Sequence, residues 1–287
     1  VTAPSPLGPS PWTTAPFDLD RIGGVRALHA LVDEVLAAGE DALALYRGGV
    51  AARVQTKPDR SPVTEADHAV EARLRRYFAT HHPDVGFLGE ETGSAEGRTA
   101  DGTLRFVVDP IDGTRAFMRG LPTWSILVGL EADGVPSVGV ALFPVTGDLY
   151  VGVRGGGATG NGRPLRVSRV DSLGAALVCH GSLQQFTAHG VGHLLARLGE
   201  RTFTQRGFAD FDGFRRVIEG QADAMVDPGV MPWDLCAAAV LVREAGGRFT
   251  SMAGDETIYG QSGLATNGAL HQPLLDLLRE PPSPREA

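Results

Sequence analysis

Cysteine is nearly missing from this sequence: Cys179 and Cys236 are the only two among 287 residues, and neither sits in a C-x-x-C or Cys/His spacing. That excludes a disulfide framework and a cysteine-ligated zinc site, and fits buried, reduced thiols in a cytoplasmic protein. Positive charge is also short. The 26 Lys and Arg face 34 Asp and Glu, a formal net charge of −8, and no stretch gathers enough basic residues for a nucleic-acid footprint. No apolar run approaches the roughly 18 residues of a membrane span, and the opening residues lack the basic-then-apolar order of a signal peptide. The expectation is a soluble protein with neither nucleic acid nor membrane as partner. What is present, 43% hydrophobic and 21% charged residues, is a globular composition long enough for one large domain or two coupled ones.

Residues 1–17 hold Pro4, Pro6, Pro9, Pro11 and Pro16 among Ser and Thr, which predicts a loose tail. From Val25 to Tyr46 apolar residues recur at helical spacing and stop before Gly48-Gly49, predicting a long amphipathic helix. A second helix is announced by Thr64 as N-cap with Asp67 at the capping-box position, followed by Val70, Leu74 and Phe78 on one face. Short apolar runs then predict strands at 106–108, 124–130, 138–143 and 149–153, with antiparallel pairing because the connections are too short for crossover helices. The Gly155-Gly156-Gly157 cluster lacks a nucleotide-cradling context and reads as a turn. Further on, strands near 175–178, 224–226 and 264–266 alternate with helices near 190–198, 214–219, 233–245 and 270–278. The order is α+β followed by α/β, divided near residues 155–169 into units of 18–155 and 156–287.

The most informative segment is Asp109-Pro110-Ile111-Asp112-Gly113-Thr114 at the end of a β-rich run. Two carboxylates with the Ile111 carbonyl between them suit a hard cation such as Mg²⁺, which takes oxygen ligands at about 2.0 to 2.1 Å. Gly113 lets a phosphate approach the backbone. An Asx-type turn is the competing reading of this stretch taken alone. Glu90 and Asp234 add acids at the end of a strand and the start of a helix, each with a structural alternative: a surface turn residue, and a charge favoured by the helix dipole. For Asp67, capping and catalysis are compatible.

Four ordered motifs give the chain a resemblance to the inositol monophosphatase superfamily of Mg²⁺-dependent, lithium-sensitive phosphomonoesterases. They are Ser61-Pro62-Val63-Thr64-Glu65-Ala66-Asp67, Gly89-Glu90-Glu91, Asp109 to Thr114 with Phe117, and Trp233-Asp234 with Ala238 and Glu244-Ala245-Gly246-Gly247. The resemblance implies a layered αβαβα sandwich, commonly a homodimer, acting on a small phosphate ester. It implies two or three Mg²⁺ per site: Glu90, Asp109 and the Ile111 carbonyl for the first, Asp109, Asp112 and Asp234 for the second, and Glu90 through water for a third. Asp67 and Thr114 would flank the nucleophilic water, with Glu90 also catalytic, and Gly113 and Thr114 would bind phosphate.

The resemblance implies that Asp210 and Asp227 fall where family members contact the alcohol part of the substrate; an acid at Asp210 could pair with an ammonium group, and Asp227 could accept from an amine or hydroxyl. An acid at Asp210, with Thr56-Lys57-Pro58-Asp59, residues 134–139 and Ala265-Thr266-Asn267-Gly268, resembles the histidinol-phosphate phosphatases of this superfamily. Inositol and related sugar or nucleotide phosphatases are the alternative within it, and a non-catalytic phosphate-binding relative is the alternative of another class. Asp210 could also be a helix-entry acid, and Asp212 could take either part. Trp124 and Trp233 are read as packing, and Arg115 and Arg119 as facing either substrate or solvent.

Overall fold

The computed structural model describes residues 12–48, 54–56, 62–97 and 102–281. Residues 1–11 of the proline-rich opening, and residues 57–61 with Lys57-Pro58-Asp59 and Ser61, lie outside the described residues. The chain begins with α1 (Gly24–Arg47), β1 (Val54–Thr56), β2 (Pro62–Thr64), α2 (Glu65–His81), β3 (Gly86–Gly89) and β4 (Gly93–Ala95). It continues with β5 (Leu104–Asp112), α3 (Thr114–Met118), β6 (Ser125–Ala132), β7 (Val135–Phe143), β8 (Asp148–Val153), β9 (Gly157–Gly160) and β10 (Arg163–Pro164). Then follow β11 (Leu177–His180), α4 (Leu183–Ala188), α5 (His193–Arg201), β12 (Thr204–Arg206), α6 (Asp210–Ile218) and β13 (Ala224–Pro228). The last elements are α7 (Pro232–Glu244), β14 (Arg248–Thr250), β15 (Ser262–Thr266) and α8 (His271–Arg279). No described helix is long and apolar enough to cross a membrane.

Two sheets and three helical layers make the expected sandwich. The large sheet has the order β10-β9-β8-β7-β6-β5-β3-β4 and is antiparallel except where β3 runs parallel to β5. The smaller sheet, β12-β11-β13-β15-β14, is parallel at β12-β11-β13 and antiparallel beyond. Strand alternation sorts side chains between layers. Phe106, Val108, Ile126 and Val128 face α1 and α2, whereas Val107 and Leu127 face the central layer. In the smaller sheet Met225 faces that same central layer, while Ala224 and Val226 turn outward to pack with Phe186, Leu194 and Leu274 of α4, α5 and α8.

The central layer is α6 and α7. Every residue of α7 from Leu235 to Val242 is buried, as a helix apolar all round must be. It lies against β5 to β8 on one side and β14 and β15 on the other. Gly129 and Gly139 make this approach possible: a Cβ on the first would come 2.4 Å from Cys236 Sγ, and one on the second 2.7 Å from the Ala237 carbonyl. Both cysteines are buried and free.

Three expectations shift. Residues 12–17 are not a loose extension, because Trp12 and Phe17 are buried. Trp12 stacks on Phe249 with centroids 6.3 Å apart, and the Phe17 N–H donates to the Arg154 carbonyl at 2.9 Å; two aromatic anchors outweigh the proline content. The strand and helix expected near 175–178 and 190–198 sit two to three residues later, as β11 and α5. The glycine cluster is a turn, as expected, and its Gly155 and Gly157 amides donate to the Glu244 carboxylate, at 2.9 and 2.7 Å.

His271 is fully buried between Thr250 Oγ1 at 3.1 Å and Thr266 Oγ1 at 3.0 Å. Burial pushes its pKa down to about 3 from 6.5. Between those values the unfolded chain binds a proton that the folded chain refuses, so stability is full above the unfolded pKa and falls as pH drops. His271 alone should remove about 2 kcal/mol between pH 7 and pH 5. Urea titrations across that range should give a steeper loss for the native protein than for His271→Gln; equal slopes would refute the assignment.

Candidate active site

The site grows from an irregularity in β5. Asp109 pairs with Leu127 and Asp112 with Ser125, so three steps along β5 match two along β6. Pro110 has no N–H for the ladder, and the bulge accommodates it while the strand continues. The extra residue lets Asp109 and Asp112 serve one point. Asp109 Oδ1 accepts the Ile111 N–H at 3.0 Å. Asp112 Oδ2 accepts the Ser125 hydroxyl at 2.7 Å and the Phe211 N–H at 3.0 Å. Across from them α7 opens with Pro232, and Asp234 Oδ2 reaches back to the Met231 N–H at 2.7 Å. Asp234 is thus a helix-start acid as well as a site residue. Asp109, Asp112 and Asp234 each offer a carboxylate oxygen within 4.8 Å of the others.

Glu90 follows β3 directly, and its N–H donates to the Val108 carbonyl at 3.3 Å, one residue before Asp109. Asp67 is fully buried in the first turn of α2, where its Oδ2 caps the Thr64 N–H at 2.8 Å. Its other oxygen, Oδ1, lies 3.3 Å from the Thr114 hydroxyl, which is also 3.1 Å from the Ile111 carbonyl. Asp67 therefore caps its helix and touches Thr114 with different oxygens. Gly113 has φ 81°, a left-handed conformation that favours glycine. A Cβ there would also sit 3.1 Å from Asp210 Oδ2.

Asp210 opens α6 and is itself left-handed, with φ 58°, a conformation uncommon outside glycine and held here by its surroundings. The N-cap of this helix is Ala209, which offers no side-chain cap. Asp227, near the end of β13, is buried, and its Oδ1 accepts no hydrogen bond. It packs so closely on Gly181 that a Cβ at that position would lie 1.9 Å from Oδ1. Asp212 lines the same cleft and is tied to Arg215 at 2.7 Å and Arg216 at 3.3 Å.

These acids raise one another. Burial first, then the charges of Glu90, Asp234 and Asp112, push Asp109 well above the usual carboxylate range. Burial and the charges of Asp210 and Asp234 do the same to Asp112, against hydrogen bonds from Ser125 and Phe211. Asp234 is pushed up to about 7, mainly by burial. Burial lifts Asp227 well above its ordinary value, with repulsion from Asp210, Asp234 and Asp112. Asp210 rises through burial, opposed by the charge of Arg115. Buried like charges at this density call for a cation, and an all-oxygen donor set suits a hard one.

The residues line a cleft of about 680 Å³ whose walls include Glu90, Asp109, Ile111, Asp112, Gly113 and Thr114, with Asp210, Asp227 and Asp234 opposite. Asp67 stands behind Thr114, outside that lining. Arg115 and Arg119 are exposed and face the cleft. Trp124 is buried against Tyr46 and Phe117, at 5.5 and 5.0 Å between centroids, whereas Trp233 both packs on the central core and lines the cleft. Sequence reasoning missed Ser182 and Gln185, which line the distal wall, because α4 has six residues and little periodicity. It also missed Glu71, whose signal was its place one helical turn beyond Asp67.

The model of the inositol monophosphatase family matches residues 26–281. A histidinol-phosphatase of Mycobacterium tuberculosis is 41% identical over 236 residues, 80% of this chain and 90% of that protein. A histidinol-phosphatase of Streptomyces coelicolor is 34% identical over 270 residues, 91% of this chain and 98% of that protein. Among solved structures, the extragenic suppressor protein suhB from Bartonella henselae superposes with a TM-score of 0.81 at 27% identity, covering 89% of this chain and 99% of that one. The chain belongs to the inositol monophosphatase family and is a phosphomonoesterase.

Proposed function

We propose that the protein hydrolyses histidinol phosphate to histidinol and phosphate with Mg²⁺ as its cation. The observation that carries the substrate reading is the pair Asp210 and Asp227 on the cleft wall, the second buried with a carboxylate oxygen that accepts no hydrogen bond. An ammonium group supplies what such an oxygen lacks. The names of the two relatives above agree with that chemistry.

Asp109, Asp112 and Asp234 would hold Mg²⁺, with Glu90 and the Ile111 carbonyl as further ligands; two or three ions per site is the proposed number. Bound there, Mg²⁺ lowers the pKa of the attacking water and offsets charge on the phosphoryl group. Asp67 Oδ1 and the Thr114 hydroxyl would orient that water and take up its proton. Gly113 leaves its side of the phosphate free of a Cβ, and with Thr114 would supply donors to the phosphate. The water oxygen forms the new P–O bond as the ester P–O bond breaks, and the departing alkoxide of histidinol takes a proton from a solvent water in the open cleft. A homodimer in the cytoplasm is part of the proposal, supported by the family resemblance and by two buried, free thiols.

Phosphate release from histidinol phosphate, inositol 1-phosphate, fructose 1,6-bisphosphate and a 3′-phosphonucleotide should show a clear preference for the first; preference for inositol 1-phosphate would overturn the substrate assignment. Asp210→Ala should lower kcat/KM for histidinol phosphate by about 10- to 100-fold and for glycerol 2-phosphate much less. An equal loss on both substrates would remove the ammonium pairing. Asp112→Asn should cost on the order of 100-fold or more in kcat with the fold intact, and unchanged turnover would exclude Asp112 as a ligand. Because burial and mutual repulsion raise Asp109, Asp112 and Asp234 without a cation, Mg²⁺ binding near pH 7 should release protons. Calorimetry in buffers of different ionisation enthalpy reads this directly, and no buffer dependence would count against the raised pKa values.

A further inference from the structure

Three polar side chains, Asp67, Glu71 and Arg75, stand one turn apart along α2, beside its buried stripe of Val70, Leu74 and Phe78. Four-residue spacing stacks them on one face. Each meets a loop of the active site. Asp67 touches Thr114. Glu71 is fully buried, and its Oε2 accepts the Glu91 N–H at 2.9 Å while its Oε1 accepts the Thr92 N–H at 2.7 Å. Arg75 donates from Nη1 to the Thr92 hydroxyl. With the Glu90 N–H on the Val108 carbonyl, three successive amides after Gly89 are tied, one to the strand of Asp109 and two to a single carboxylate. Gly89 makes the arrangement possible, since a Cβ there would lie 2.6 Å from Glu71 Cδ and from Oε1.

A buried carboxylate that spends both oxygens on two backbone amides fixes the path of those residues, and losing it leaves two donors without an acceptor. We propose that Glu71 is a positioning residue for the metal site: it holds the turn that presents the Glu90 carboxylate beside Asp109, and so sets cation affinity without touching cation or substrate. This rests on the reading of Glu90 as a metal ligand. A residue that merely stabilised α2 against β3 would change the unfolding midpoint and leave cation affinity alone.

The test is Mn²⁺ binding by calorimetry, with amide hydrogen exchange at Glu91 and Thr92, on the full chain and on Glu71→Gln, Glu71→Asp and Glu90→Gln. Glu71→Gln, which offers one acceptor oxygen for two donors, should lose exchange protection at these amides and bind Mn²⁺ about 10-fold or more weakly. Should that variant fail to fold, Glu71→Asp, which keeps the charge but withdraws it by one methylene, carries the same expectation. Lost protection with unchanged Mn²⁺ affinity would overturn the positioning role. If Glu90→Gln weakens Mn²⁺ binding and neither Glu71 variant does, that role alone fails. If Glu90→Gln leaves Mn²⁺ affinity unchanged, the reading of Glu90 fails and the proposal with it.

Discussion

The structure depends on the seating of α7 between the two sheets. A helix apolar on every side has no stable place at a surface, and this one is covered by β5 to β8 on one flank and by β14 and β15 on the other. The close approach requires Gly129 and Gly139 on the strands and a run of alanines, Ala237 to Ala239, on the helix. Because the helix is locked, its first turn is locked as well. Asp234 then stands where its carboxylate meets those of Asp109 and Asp112, a juxtaposition that no flexible loop could hold against mutual repulsion.

The same logic governs the other acids. Each is fixed by a backbone partner through one oxygen and presents the rest to the cleft or to a neighbour: Asp112 through the Phe211 amide, Asp234 through the Met231 amide, Asp67 through the Thr64 amide. Such bonds favour the ionised form and keep each carboxylate from turning away. Burial and repulsion still dominate and drive Asp109, Asp112 and Asp227 well above their ordinary values. A cation bound there would relieve that tension, and cation binding and the order of the site would then be two sides of one equilibrium.

Much of this was legible in local sequence because its causes are local. Thr64 and Asp67 form the capping box the spacing predicts, and α1, α2, α7 and α8 lie within a few residues of their periodic patterns. Short elements escaped: α3, α4, β12 and β14 have three to six residues, too few for a period to be read. Trp12 and Phe17 also misled, since a proline-rich stretch reads as loose until a partner surface such as Phe249 is known.

The site divides along the same line. The order of four motifs, by its resemblance to a known family, already pointed to a layered αβαβα phosphomonoesterase, and the sequence offered acids at 67, 90, 109, 112 and 234 at strand and helix ends, oxygen donors of the kind hard cations take. Only the tertiary structure decided which oxygens converge and how far burial raises them. Only it paired Asp212 with Arg215, left Asp227 Oδ1 without a partner, and placed Glu71 on the two amides that follow Glu90. The physical reason is distance along the chain: Glu71 and Glu91 are separated by 20 residues and Asp112 and Phe211 by 99. Contacts across such separations follow from packing, which no local pattern encodes.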